Sequence, residues 1–302
     1  MSEFMQRNCP SCAGNNGKLV ISSKPSAETL SYKKLQSYWS GFFRQKLFFS
    51  YHRCLCGLLY CPSFFSEDQL HFLYKNMTDN TAGVSLAALN KTQYGYFKTL
   101  KKYSNLSGNY LEFGPDIGLF TQYCVQEGHF DSLWLCEPNQ EVWPKLQTSV
   151  GGIKHHILPD MQVSETIPNQ SISTVVMVHV LDHLINPIQM LQKLKTKLSK
   201  GALVLLVTHD EQSQLSKIIK QKWPPYCLQH PQLFNKASIT ALLNNAGFEV
   251  LTCEKTRNYF PMTYLIKHLL YVIGIKNISL PALNKLQIGL KLGNIITVAR
   301  AG

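Results

Sequence analysis

Tyr110-Leu-Glu-Phe-Gly-Pro-Asp-Ile-Gly118, continued by Leu119-Phe-Thr-Gln-Tyr-Cys124, decides the fold of this chain. The apolar run over residues 109–113 predicts a short buried strand, and a helix is expected over 119–127. Between them, Gly114 and Gly118 allow positive φ and let the backbone approach a ligand where a Cβ would collide. The helix start offers unpaired N–H groups and the positive end of its dipole to the same place. Open α/β proteins hold nucleotide-like cofactors in this way, at the carboxyl ends of their strands. A lone Gly-x-x-x-Gly also fits an ordinary strand-to-helix turn, so the reading needs a second signal.

That signal is Ser132-Leu-Trp-Leu-Cys-Glu-Pro138, a second apolar strand with Glu137 at its tip, 19 residues after Gly118. A carboxylate there can accept both hydroxyls of a ribose. Helices at 139–149 and 187–199 then alternate with strands at 153–158, 173–180 and 202–208. A helix at 236–245 and strands at 246–253 and 294–300 complete the series. The βαβα rhythm predicts a doubly wound, mainly parallel sheet.

Together these motifs resemble the class I S-adenosylmethionine-dependent methyltransferases. The likeness continues through Ser173-Thr-Val-Val-Met-Val-His-Val-Leu-Asp-His-Leu-Ile-Asn-Pro187, the helix and Gly turn ending at Gly201, and Ala202-Leu-Val-Leu-Leu-Val-Thr-His-Asp210; it covers residues 105–302. It implies an α/β, Rossmann-like fold with a seven-stranded sheet, and S-adenosylmethionine as cofactor. Carried onto this chain, it puts Glu112, Gly114, Asp116, Gly118, Glu137, Asp160 and His179 at the cofactor, with Asp160 receiving the adenine amino group. The family's acidic-x-Gly-x-Gly-x-Gly loop has Asp116 here where its middle glycine is usual. Aspartate tolerates an unusual backbone angle better than most residues, but it brings a carboxylate to the cofactor.

Nine cysteines without a secretory leader argue against a disulfide framework. Cys9-Pro-Ser-Cys12 and Cys54-Leu-Cys56 are two close pairs 41 residues apart, and each can put two thiolates on one ion. Four thiolates make the closed tetrahedral site of structural zinc. The pairs also resemble the zinc-binding amino-terminal module carried by a subset of these methyltransferases, in which the second pair is Cys-x-x-Cys. Here it is one residue shorter, and Cys61 follows, so either Cys54 and Cys56 both ligate or Cys61 substitutes for one. Cys124, Cys136, Cys227 and Cys253 lie singly in apolar surroundings and read as core residues.

The 302 residues carry a net charge of +12, with eight Lys/Arg against two Glu in residues 1–60, and five Lys/Arg with no acid in residues 261–302. Such ends suit nucleic acid, anionic lipid or phosphorylated substrates, or simply solubilise. Met1-Ser-Glu-Phe-Met-Gln-Arg7 has no apolar core of a signal peptide, and the longest apolar run, near 265–275, is broken by Lys267 and His268. A soluble, cytoplasmic protein is expected. The domain reading is a zinc-binding module at 1–62, a helical connector at 63–104, the cofactor-binding core at 105–210, and a lid, helical insert and last strands at 211–302. Aromatic residues crowd 32–51 with lysines and arginines between them, and they read as the core of the small module rather than as a base-stacking platform. Ser66-Glu-Asp-Gln begins a helix, and another is expected over 85–103. Trp223-Pro-Pro-Tyr-Cys-Leu-Gln-His230 breaks the rhythm after the fifth strand and reads as a lid. Residues 260–275 form an expected apolar helical insert, whose part at 264–275 is a candidate for peripheral membrane contact.

Methyl transfer from a sulfonium requires alignment of the acceptor and, where needed, a base. Histidine suits that base near neutral pH. The candidates are His230, then His183, with His179 and Tyr226 beside them. The leading functional reading is methylation of a small-molecule acceptor, such as a nucleotide-linked sugar or a surface-glycan or natural-product precursor. The competing readings are an RNA methyltransferase gripping phosphates through the basic module, and a degenerate binding protein, motivated by Asp116.

Overall fold

The computed structural model describes residues 3–39, 46–75, 85–263, 266 and 286–302. Seven strands form its main sheet: β1 (Ser107–Phe113), β2 (His129–Cys136), β3 (His155–Leu158), β4 (Ile172–Val178), β5 (Leu198–His209), β6 (Phe248–Lys255) and β7 (Asn294–Ala301). Their order is β6-β7-β5-β4-β1-β2-β3. β1 to β5 are parallel, and β7 runs antiparallel to both β5 and β6.

The near-continuous apolar runs of β4 and β5 follow from burial on both faces, since successive side chains point to opposite sides. Val175, Met177, Val204 and Leu206 face α4 (Pro187–Lys197) and α5 (Lys236–Asn245), meeting Leu191, Leu194, Leu242 and Leu243. Val176, Leu205 and Val207 face the other layer: α1 (Leu86–Lys101), α2 (Leu119–Glu127) and α3 (Trp143–Ser149), through Phe97, Leu100, Phe120 and Leu146. Each such fully buried side chain contributes about 1.5–3 kcal/mol. The sheet is thus the doubly wound one expected.

Differences from expectation are local. β4 stops at Val178 because His179 turns to φ 54°. α4 stops at Lys197, and β5 begins at Leu198 with a register shift between Leu198 and Leu203 that accommodates Gly201 at φ 75°. Phe260, expected in a helix, lies in a strand (Asn258–Pro261) paired antiparallel with Gln287–Leu290. The rest of the expected insert, with its membrane-facing part, falls outside the described residues apart from a few positions. Among the described residues no helix is long and apolar enough to cross a membrane.

The amino-terminal segment is built around a small sheet in which Lys18–Ile21, Tyr51–Arg53 and Leu59–Tyr60 are joined by Gln232–Leu233 from the segment after β5. Its aromatic residues are core: Trp39, Phe48, Phe49, Tyr51, Phe64 and Phe65 are buried together with Trp223, Tyr226 and Leu228 of the segment after β5. Ser66 opens the next helix (Glu67–Lys75) with a reciprocal cap, Gln69 N donating to Ser66 Oγ and Ser66 N to Gln69 Oε1. Polar ties reinforce the seam with the core. Arg53 holds the buried Glu211 through two bonds of 2.6 and 2.9 Å, and Asn235 Nδ2 donates to the same carboxylate. The Tyr51 hydroxyl donates to the carbonyl of His230 at 2.6 Å.

Candidate functional site

The carboxyl ends of β1, β2 and β4 make the first part of the site. Gly114, Asp116 and Gly118 all have positive φ, at 65°, 52° and 78°. A side chain at Gly114 would press on Val180, 2.9 Å from its Cγ2, and one at Gly118 would collide with Ser149 of α3. Glycine is therefore required at both by contact as well as by conformation. Asp116 takes the left-handed angle itself, as aspartate can. Its N–H donates to Glu137 Oε2 at 2.9 Å, and Asn139 N–H donates to Oε1 at 2.8 Å. Glu137 thereby clamps the loop while each oxygen keeps a further acceptor position. Burial raises its carboxyl above the usual range, against those two backbone bonds, with the Asp116 carboxylate adding to the rise.

Glu112 lies beneath the loop. Its Oε2 accepts from the Tyr110 hydroxyl at 2.7 Å and the Thr121 hydroxyl at 2.6 Å. Burial pushes its carboxyl up to about 7, from an ordinary 4.5, against both hydroxyl bonds. Between those values the folded chain holds a proton that the unfolded chain has released. Its contribution is complete below about 4.5 and is lost as pH rises through about 7. Thermal melts from acid to mildly alkaline pH are expected to show Glu112→Gln gaining on the native protein across this window, by on the order of 3 kcal/mol. Parallel curves would contradict a protonated Glu112. Asp160, expected at the adenine, lies exposed beyond the end of β3, its Oδ1 accepting from Gln162 N at 2.8 Å.

The second part is a group of histidines. His179, at the end of β4, is one residue from Val180 and stacks on His209 at the end of β5, ring centroids 4.4 Å apart. The His230 ring centroid lies 5.0 Å from that of His209 and 4.5 Å from that of His183. At their centre is Asp182, fully buried, whose Oδ2 accepts from His209 N at 3.1 Å. Asn294 of β7 bonds both His179 Nε2 and His209 Nδ1, and Tyr74 bonds His183 Nδ1. His230 Nδ1 lies 2.7 Å from the Pro225 carbonyl and 3.3 Å from Cys227 Sγ. Burial opposes ionisation of Asp182, but the four histidines hold its carboxyl well below the usual range. Burial lowers His179, His183 and His209, whereas His230 is pushed up to about 9 against its burial by Cys227 and Asp182.

The structure thus brings His179, His183 and His230 together. Tyr226 stands apart, packed against Phe48, Tyr51 and Trp223 in the aromatic cluster. His209 and Asp182 were legible in sequence among the candidate polar residues ending the fifth and fourth strands, without a sign that Asp182 is central. Asn294, Tyr74 and Cys227 gave no signal, because their roles arise from contacts between distant segments.

The third part is the cysteine group. Cys9, Cys12, Cys54 and Cys56 place their sulfurs within 4.8 Å of one another, with Cys9 to Cys56 at 3.5 Å and Cys12 to Cys54 at 3.4 Å. Zinc–sulfur bonds of about 2.3 Å require sulfur–sulfur edges near 3.8 Å, so the set fits one tetrahedral ion with no open position. Two tight turns present the thiols, one closed by Ala13 N to Cys9 O and the other by Gly57 N to Cys54 O. Cys61 is not part of the group. Its thiol is buried in the aromatic cluster and faces the Phe49 carbonyl.

Residues 89–253 match a family model described as a methyltransferase domain. Among solved structures, the chain is similar to a methyltransferase in complex with the Trm112 methyltransferase activator of Haloferax volcanii, with 10% identity and a TM-score of 0.51 over 71% of this chain and 92% of that one. A Listeria monocytogenes protein assigned as an S-adenosylmethionine-dependent methyltransferase gives 10% identity and a TM-score of 0.50, over 69% of this chain and 99% of that one. At these identities the likeness concerns the fold. Among curated proteins no sequence matches.

Proposed function

Because the chain belongs to the methyltransferase-domain family, we propose that it methylates a small-molecule acceptor held at the histidine group beneath the lid. S-adenosylmethionine would bind at the loop from Gly114 to Gly118, and it supplies a methyl group on a sulfonium for in-line displacement. Gly114 leaves the space that a Cβ would fill, and Glu137 offers its remaining acceptor positions to the ribose hydroxyls. His179 marks the boundary between cofactor and acceptor, being next to Val180, which packs on Gly114. His230 and His183 are assigned to acceptor contact, one from the lid and one from the turn after β4.

The observation that carries this reading is the closed seam around His230. Its carbonyl is held by Tyr51, its ring by Pro225 and Cys227, and the strand after it pairs with Leu59–Tyr60. A site walled by two parts of the chain suits a compact acceptor better than a polymer in an open groove. The RNA reading is weakened by the aromatic residues themselves, since most of the described ones that base stacking would use are in the core and Tyr32 and Tyr38 pack against it. The cysteine group is assigned to structural zinc, for which its four thiolates fit.

A labelled-methyl transfer assay on fractionated cell extract, before and after ribonuclease treatment, tests the reading. Label is expected in low-mass, ribonuclease-insensitive material, including the sugar-nucleotide fraction. Label that appears only in RNA would overturn the small-molecule assignment.

A further inference from the structure

The geometry points to a second metal site: His179, Asp182 and His209, at the carboxyl ends of β4 and β5, bind a divalent transition-metal ion. One donor atom from each lies within 4.8 Å of the others, and His209 Nε2 is 3.9 Å from Asp182 Oδ2. Two imidazoles and a carboxylate form a mixed nitrogen–oxygen set suited to zinc, iron(II), cobalt(II) or manganese(II), and three protein ligands leave positions open.

Two buried atoms in the group have no hydrogen-bond partner among the described residues: His179 Nδ1 and Asp182 Oδ1. Asp182 is fully buried with one oxygen unused, and its single ion-pair partner among the described residues is His209. Such a group is expensive unless it is paired or coordinated. The backbone supports the same assignment. His179 is held at φ 54°, a conformation found at ligand clamps more often than in ordinary strand ends.

Asn294 grips both rings from behind. Its Oδ1 accepts from His209 Nδ1 at 3.0 Å, which leaves His209 Nε2 bare, and its Nδ2 donates to His179 Nε2 at 3.1 Å. The His209 contact is of the kind that orients a ligating histidine, whereas ligation through His179 Nδ1 requires a proton on Nε2 and rearrangement of its Asn294 contact. With an ion on both rings, both outer nitrogens carry protons, and the single amide oxygen accepts from one of them. A carboxylate at position 294 would accept from both. In catalysis an acceptor oxygen would occupy an open position and be brought toward the transferable methyl group. That role rests on the methyl-transfer reading, whereas the binding itself does not.

Cobalt(II) added to the purified full-length protein, with its cysteine site already filled with zinc, tests the site. One further equivalent is expected by equilibrium dialysis, with a visible spectrum free of thiolate charge-transfer bands. Asp182→Asn, which keeps an acceptor for His209 N, is expected to weaken uptake at least tenfold, and His179→Gln to do the same. Asn294→Asp is expected to tighten it severalfold. No further equivalent in the native protein, a spectrum showing only thiolate ligation, or uptake unchanged in both ligand variants would overturn the site. Because the readout is metal bound rather than methyl transferred, a failure here leaves the methyltransferase assignment standing, and the reverse also holds.

Discussion

Cys54→Ser is expected to lower the melting temperature by roughly 5–10 °C, release zinc, and cut methyl transfer far more than it weakens cofactor binding. In isolated zinc modules the metal contributes about 10 kcal/mol or more to folding, so even a third of that exceeds an ordinary point substitution. Cys54 begins the turn between Tyr51–Arg53 and Leu59–Tyr60, and it is this hairpin that pairs with Gln232–Leu233. The same hairpin carries Tyr51, whose hydroxyl holds the His230 carbonyl. Loosening the cysteine group therefore reaches the acceptor side through two contacts. The loop from Gly114 to Gly118 and Glu137 rests on β1 and β2, whose strand partners lie within the main sheet. Metal analysis, thermal melts and a cofactor titration on one preparation separate these effects. Unchanged metal content and melting temperature would contradict a structural zinc at these thiols.

Glu137→Ala is expected to weaken S-adenosylmethionine binding by about 100-fold while shifting stability little. Hydrogen bonds to a charged group contribute about 1.5–3 kcal/mol each, and the carboxylate would take both ribose hydroxyls. Losing about 3 kcal/mol corresponds to roughly 100-fold in affinity. The same substitution frees the N–H groups of Asp116 and Asn139, which lie at the loop where water can replace the lost acceptor. Calorimetric titration of native and variant protein measures the ratio. Equal affinities would mean that the ribose lies elsewhere.

The sheet was legible because parallel strands buried on both faces write long apolar runs, as Val175 to Met177 and Val204 to Val207 do. Asp116 was legible as a departure from a motif, and its φ of 52° shows an aspartate in a conformation glycine usually takes. The alternatives for the second cysteine pair could not be separated in sequence, since Cys54, Cys56 and Cys61 are all within reach of one turn. Packing separates them: Cys61 points into the aromatic cluster. The insert reads as helical from Phe260 on, whereas its first two residues close the strand Asn258–Pro261, whose pairing with Gln287–Leu290 depends on residues far along the chain. The two-residue strand Gln232–Leu233 is too short to show a period at all. Asp182 was hidden for a different reason. Its meaning lies in the convergence of a turn, the end of β5 and the lid on one carboxylate, and no single stretch carries that.

Every methyl-transfer role proposed for these residues requires that the chain bind S-adenosylmethionine at the loop after β1 and use it. The most direct measurement is isothermal titration of S-adenosylmethionine, and in parallel S-adenosylhomocysteine, into the purified full-length protein. The account predicts saturable one-site binding of both ligands, with a raised melting temperature in their presence. No heat of binding and no thermal shift with either ligand would contradict it.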